Sequence, residues 1–192
     1  DPMVNVAYDL RENISLYAKY STGYRAGGAS SRSLTFRAFG PEDVDSYEIG
    51  FKRDWSDWNL TTNAVAFFYD YKNYQVPNDV VPLDPDGSGP QVRQPAYTAY
   101  VNLPKTQITG FELETIWYPT DNFRLIFNYG YTNPEIRESP ELIHSLDPSA
   151  LDPAAQPVGS PTSDGQQSQS VKGNSLPFNP KNKIALNGVY TW

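Results

Sequence analysis

Apolar residues recur at every second position over several stretches of this chain. That period turns one face of a β-strand toward a nonpolar environment and the other toward a polar one. Val4, Val6, Tyr8 and Leu10 alternate with Asn5, Ala7 and Asp9. Beyond Arg11, Glu12 and Asn13, a second run sets Ile14, Leu16, Ala18 and Tyr20 against Ser15, Tyr17, Lys19 and Ser21, and so short a link predicts a β-hairpin. A third strand sets Tyr47, Ile49 and Phe51 against Glu48, Gly50 and Lys52, and Ser56 to Asn59 turn it into a fourth from Leu60 to Tyr71. In the fourth, the odd positions Val65, Phe67 and Tyr69 and the even positions Ala64, Ala66 and Phe68 are all apolar. Its register is therefore open to a bulge or a change of face. The fifth strand sets Phe111, Leu113 and Trp117 against Glu112 and Glu114, and Pro119 to Asn122 turn it into a sixth. There Phe123, Leu125, Phe127, Tyr129 and Tyr131 alternate with Arg124, Asn128 and Gly130. A seventh strand runs from Ile184 to Trp192.

The connections alternate in length. Tight turns of a few residues alternate with the segments Arg25 to Val44, Lys72 to Pro104 and Asn133 to Asn182. The first of these is rich in Gly, Ser and Arg, the second holds Pro77, Pro82, Pro85, Pro90 and Pro95, and the third is rich in Pro, Ser, Gln and Asp. All three read as loops. In an ordinary compact domain, connections beyond about 15 residues are uncommon. Outer-membrane barrels require them, with short periplasmic turns and long outward loops. The predicted fold is therefore all-β: an antiparallel transmembrane β-barrel segment of about seven strands with short periplasmic turns and long extracellular loops. A linker between two domains is the other reading of the third segment.

Composition narrows the classes. With 39% hydrophobic residues and a mean hydropathy of -0.57, nothing approaches the roughly 18 consecutive apolar residues of a transmembrane helix. The lack of Cys fits a chain exported through an oxidising compartment. A net charge of -7 argues against a nucleic-acid partner, because phosphate binding wants a basic face. If the short turns are periplasmic, Trp55, Trp58, Trp117 and Trp192 all fall at one membrane interface, where an indole meets both lipid and water. Trp also sits at strand ends in β-sandwiches, so this placement alone leaves both architectures open.

Candidate catalytic chemistry is thin. The single histidine, His144, lies in a Pro-rich loop segment beside Ser145 and Asp147, and three sequence neighbours rarely converge as a triad does. Asp84, Asp86 and Gly87 resemble the start of a calcium loop, but the acidic residue that completes one is missing. No enzyme activity, cofactor or metal site is expected. Binding residues are easier to place. By alternation Lys19, Ser21 and Arg25 face inward, Arg32 and Arg37 lie in the first long segment, and Tyr71, Tyr74, Tyr97 and Tyr100 border the second. Arg suits an anionic ligand through charge-assisted hydrogen bonds and Tyr stacks on rings. The same Arg residues would equally suit lipopolysaccharide phosphates or water. Glu48, Lys52, Glu112 and Glu114 should line the middle of the interior, where opposite charges on neighbouring strands pair.

Five segments in this order resemble one family: ISLYAKYSTGYRAGG (Ile14 to Gly28), PEDVDSYEIGFK (Pro41 to Lys52), NAVAFFYDYKNYQV (Asn63 to Val76), ITGFELETIWYPTDNFRLIFNYGYTN (Ile108 to Asn133) and SLPFNPKNKIALNGVYTW (Ser175 to Trp192). Together they resemble TonB-dependent outer-membrane receptors. The resemblance implies a barrel of about 22 strands around an N-terminal plug. It also implies uptake of a scarce nutrient such as a ferric siderophore, with energy delivered by TonB through the N-terminal part. On that reading residues 1–192 are a partial barrel domain without a plug, in the bacterial outer membrane. Its partners are outer-membrane lipid and lipopolysaccharide, the plug and remaining barrel strands, TonB, and a small-molecule ligand. A seven-stranded piece leaves two open edges, which hydrocarbon does not tolerate, so a larger whole is expected. The competing class is a soluble or surface-attached β-sandwich binding carbohydrate, which would bury Phe123, Leu125, Phe127 and Tyr129 under a second sheet.

Overall fold

A computed structural model describes residues 1–29, 38–80, 97–139, 141–142 and 169–192. The strands are β1 (Met3–Arg11), β2 (Ile14–Arg25), β3 (Gly28–Ala29), β4 (Ala38–Phe39), β5 (Glu42–Trp55), β6 (Leu60–Val80), β7 (Tyr97–Thr120), β8 (Phe123–Glu138), β9 (Glu141–Leu142), β10 (Gln169–Ser170) and β11 (Asn182–Tyr190). Seven of them form one antiparallel sheet in the order β1-β2-β5-β6-β7-β8-β11. The pairs β3-β4 and β9-β10 are separate two-stranded ribbons. Each main strand thus pairs with its neighbour in sequence, the meander predicted from the alternation.

Pairing settles the register of β6. Leu60 faces Trp55 and Lys72 faces Asp43, with every intervening pair in step. The row Val6, Ala18, Ile49, Ala66, Phe111 and Tyr131 therefore crosses the sheet on one face. The next row places Tyr17, Gly50, Val65, Glu112 and Gly130 on the other. The even residues of β6 from Leu60 to Lys72 belong to the apolar face, and Val65, Phe67 and Tyr69 to the polar one. No bulge is needed.

The apolar face is uncovered. Val6 and Ile49 are each 64% exposed, and Ile184 and Leu186 are 71% and 66% exposed. Phe123, Leu125, Phe127 and Tyr129 are half-buried by their neighbours in the sheet. Among the described residues no second large sheet lies over them. The β-sandwich expectation fails on this point.

The long segments are less loop-like than their composition implies. β5 begins at Glu42, β6 runs to Val80, β7 starts at Tyr97 and β8 continues to Glu138, so much of what was expected as loop is strand. Proline misleads here because it is tolerated wherever a strand is paired on one side only. Pro77 pairs with Tyr100 beyond the last β5 partner of β6, and Pro134 pairs with Ile108 beyond the last β11 partner of β8. At the other end of the sheet, Ser56–Trp58 form a single 3-10 turn closed by Asn59 in the left-handed region (φ 48°), which Asn tolerates well.

The buried residues Leu103, Ile136 and Leu176 cluster on the polar face at the long-loop end, with Tyr74, Val76, Ile108 and Val171 packed around them. The chain before β11 folds in to supply Leu176 and Val171. It is held by bonds from Ile136 N–H to the Asn174 carbonyl and from Gly173 N–H to the Ile136 carbonyl.

Candidate functional site

Along the polar face of β6 the rings of Phe67, Tyr69, Tyr71 and Tyr74 form a column. Phe67 and Tyr69 stack with centroids 4.8 Å apart, Tyr69 meets Tyr71 edge-on at 6.5 Å, and Tyr71 meets Tyr74 edge-on at 4.9 Å. Tyr71 and Tyr74 share a face because Asn73 between them adopts φ 55° and interrupts the alternation. The column climbs toward the long-loop end.

Its upper part is fastened to the first long segment. The Gln75 backbone N–H donates to Glu42 Oε2 at 2.6 Å, and the Gln75 side chain donates to the carbonyls of Ala26 and Gly40, both at 3.0 Å. Asn102 Nδ2 donates to the carbonyls of Gly40 at 3.1 Å and Asn73 at 2.8 Å, and Asn102 Oδ1 accepts from Gly40 N–H at 2.7 Å. The Phe39 ring of β4 packs on Tyr100 at 4.9 Å. These contacts join the ends of β2, β5, β6 and β7 into one rim.

The apolar band of the outer face ends at Tyr20, Tyr47 and Phe68, so Tyr71 and Tyr74 lie beyond the spanning part of β6. Burial pushes the Tyr71 phenol up to about 12, with smaller contributions from Tyr74 and Glu42. Burial also raises the Tyr74 phenol, Glu42 adds to the rise, and the positive charge of Arg25 opposes it. Both phenols are neutral hydrogen-bonding groups at any physiological pH.

Of the residues expected at a binding site, Arg25, Tyr71 and Tyr74 come together at this rim, whereas Tyr100, opposite Pro77, turns to the other face of the β6-β7 ribbon and packs on Phe39. Arg25 is exposed at the end of β2, its backbone opposite Glu42 in the β2-β5 ladder. Tyr97 faces Val80 at the far end of the β6-β7 ribbon. Arg32 and Arg37 lie outside the described residues, as do His144, Ser145, Asp147, Asp84, Asp86 and Gly87. Alternation could not mark Glu42, Gln75 and Asn102, because what they bind lies far along the chain. Deeper on the polar face Lys19 Nζ lies 3.5 Å from Glu48, and Asn63 Nδ2 donates to Glu114 Oε2 at 3.2 Å. This is the cross-strand pairing expected of an interior wall.

At the short-turn end the expected aromatic rim is present. Trp55 stacks on Trp58 at 5.7 Å with an 8° interplanar angle, Trp117 Nε1 donates to the Trp58 carbonyl at 3.1 Å, and Trp192 follows β11 at the same end of the sheet. Apolar outer face, polar inner face, long connections at one end and a Trp rim at the other are the parts of an outer-membrane barrel wall.

Comparison with known proteins agrees. The metal-pseudopaline receptor CntO of Pseudomonas aeruginosa is 29% identical over 135 residues, 70% of this chain and 17% of that protein. The probable TonB-dependent siderophore receptor PiuA of Acinetobacter baumannii is 27% identical over 142 residues, again 70% of this chain and 17% of the relative. The chain thus spans about a sixth of the length of these relatives. Among solved structures, PiuA superposes with a TM-score of 0.64 at 22% identity, covering 98% of this chain and 23% of that one. The ferric yersiniabactin uptake receptor FyuA of Yersinia pestis gives 0.62 at 18% identity, covering 97% and 22%. Both share the fold. Residues 1–192 match the family described as TonB dependent receptor-like, beta-barrel, and the chain belongs to that family.

Proposed function

We propose that this chain is a wall of a bacterial outer-membrane receptor that binds a small-molecule metal chelate at its outer mouth and imports it with energy supplied through TonB. The observation that carries the reading is the polar face of β6. Its aromatic column runs from the interior to a rim where Tyr71 and Tyr74 meet near the positive charge of Arg25. Phenol rings offer flat apolar contact with a hydroxyl handle, and a guanidinium supplies charge-assisted hydrogen bonds to an anionic chelate. Arg32, Arg37, Tyr97 and Tyr100 are proposed to add to that contact. The names of the relatives, receptors for metal-pseudopaline and for siderophores, support the ligand class.

The rest of the machine follows from the open edges β1 and β11. Backbone N–H and C=O groups at a free edge cannot remain unpaired in hydrocarbon. Further strands therefore close the barrel, and a plug fills it and carries the contact to TonB. Lipid covers the apolar face and lipopolysaccharide meets the long-loop end. The protein on this reading is a transport receptor and not an enzyme. Disrupting the receptor in a siderophore-dependent strain, and titrating the purified receptor with ferric chelates, tests it. Lost growth on at least one chelate that the receptor also binds is the expected result. Unchanged growth, with no binding to any of the chelates, would overturn it.

A further inference from the structure

Cations on the outward face fall into two groups. At the long-loop end each has a carboxylate: Lys72 Nζ is 3.2 Å from Asp45, Lys105 Nζ is 3.9 Å from Asp70, and Arg137 Nη1 is 2.6 Å from Glu135. That belt neutralises itself. At the short-turn end stands Arg53, on the outward row of β5 between Ile14 of β2 and Thr62 of β6. Among the described residues it forms no ion pair, and its buried Nε has no hydrogen-bond partner.

Arg53 is nonetheless held in place. Its Cζ sits 3.4 Å from the centroid of the Trp55 ring, and Trp55 is itself stacked on Trp58. A guanidinium lying on an indole keeps its in-plane N–H donors free for a planar, two-pronged contact with an oxyanion. The height decides which oxyanion. A Trp rim marks the depth at which acyl chains give way to headgroups, and the outward face there meets lipid. We infer that Arg53, backed by Trp55 and Trp58, binds the phosphate of an anionic glycerophospholipid in the periplasmic leaflet. This rests on the membrane-barrel reading proposed above.

The test uses the full-length receptor carrying this wall, in mild detergent, titrated with phosphatidylglycerol, with diacylglycerol lacking the phosphate, and with inorganic phosphate, and read by native mass spectrometry. Phosphatidylglycerol should bind, with diacylglycerol and inorganic phosphate at least tenfold weaker. Arg53→Gln should weaken phosphatidylglycerol binding by about tenfold, the scale of a lost charge-assisted hydrogen bond. Arg53→Lys, which keeps the charge without the stacked fork, should fall between. Lys72→Gln should leave binding unchanged. The inference is overturned if Arg53→Gln binds phosphatidylglycerol like the parent, if Lys72→Gln weakens it equally, or if inorganic phosphate binds as well as the lipid. Heat-modifiable gel migration reports the folded barrel separately. A receptor that lacks it and stays monodisperse without detergent would overturn the membrane reading itself, whatever Arg53 does.

Discussion

Tyr17 of β2 covers Gly50, its direct partner on β5. A Cβ placed on Gly50 would meet Tyr17 Cε1 at 1.8 Å and Cζ at 2.2 Å. Phe67 covers its own partner Gly110 in the same way, at 2.1 Å. Both pairs lie on the polar face. A ring laid over a cross-strand glycine shields its backbone and fixes the register of the two strands. Gly50→Ala should therefore displace the Tyr17 ring and destabilise the folded receptor by about 1 to 3 kcal/mol. Adding Tyr17→Ala should recover part of that loss. Denaturant unfolding in detergent measures both, and equal midpoints for parent and Gly50→Ala would sink the argument.

Tyr71 supplies a spectroscopic prediction. With its phenol pushed up to about 12 from the ordinary 10.0 by burial, the folded state holds this proton more tightly than the unfolded state does. Its contribution to stability is complete below pH 10 and is lost as pH rises through 12. Alkaline titration of phenolate absorbance should show a late-ionising component, and Tyr71→Phe should remove its latest part while the raised Tyr74 phenol remains. A Tyr71→Phe titration superimposable on the parent's would place the late phenol elsewhere.

The rim makes a ligand prediction. Tyr74→Ala removes the top ring of the aromatic column while leaving the Gln75 and Asn102 bonds to the first long segment in place. If the proposed ligand class is right, it should weaken chelate binding by about tenfold, the effect of losing one ring contact and its buried area. Arg25→Gln should weaken an anionic chelate further at low salt than at high salt. Calorimetry on the purified receptor reads both. Unaltered affinity in each variant would remove the rim from the binding site.

How much of this was legible in the sequence depends on distance along the chain. Short hairpins showed themselves because alternation and turn are local, so β1 with β2 and the Trp rim stand where the sequence puts them. The register of β6 was hidden because both its faces are apolar, and only its partners on β5 and β7 separate Ala66 from Phe67. Tyr71 and Tyr74 break strict alternation at Asn73, whose positive φ no periodicity reveals. The cluster of Leu103, Ile136 and Leu176 joins two Pro-rich stretches whose composition reads as loop. The glycines at 50 and 110 gained meaning only once their covering rings were paired with them.

The Trp rim gives the last prediction, and it separates packing from hydrogen bonding. Trp117 lies opposite Leu60 and Leu125 on the outward face, and its Nε1 donates to the Trp58 carbonyl at 3.1 Å. That bond ties the turn between β5 and β6 to β7. Trp117→Phe keeps an aromatic ring at the interface but removes the donor, leaving a carbonyl that water or a headgroup can reach. The cost should sit at the low end of the range for a hydrogen bond, about 0.5 kcal/mol. Trp117→Ala also forfeits the interfacial ring and should cost about 2 kcal/mol more. Trp192 follows the last strand and is 99% exposed, so Trp192→Phe should lie within error of the parent. Unfolding midpoints for the three variants measure the series. Equal losses for Trp117→Phe and Trp117→Ala would show that the donor alone matters, against the packing role assigned to the rim.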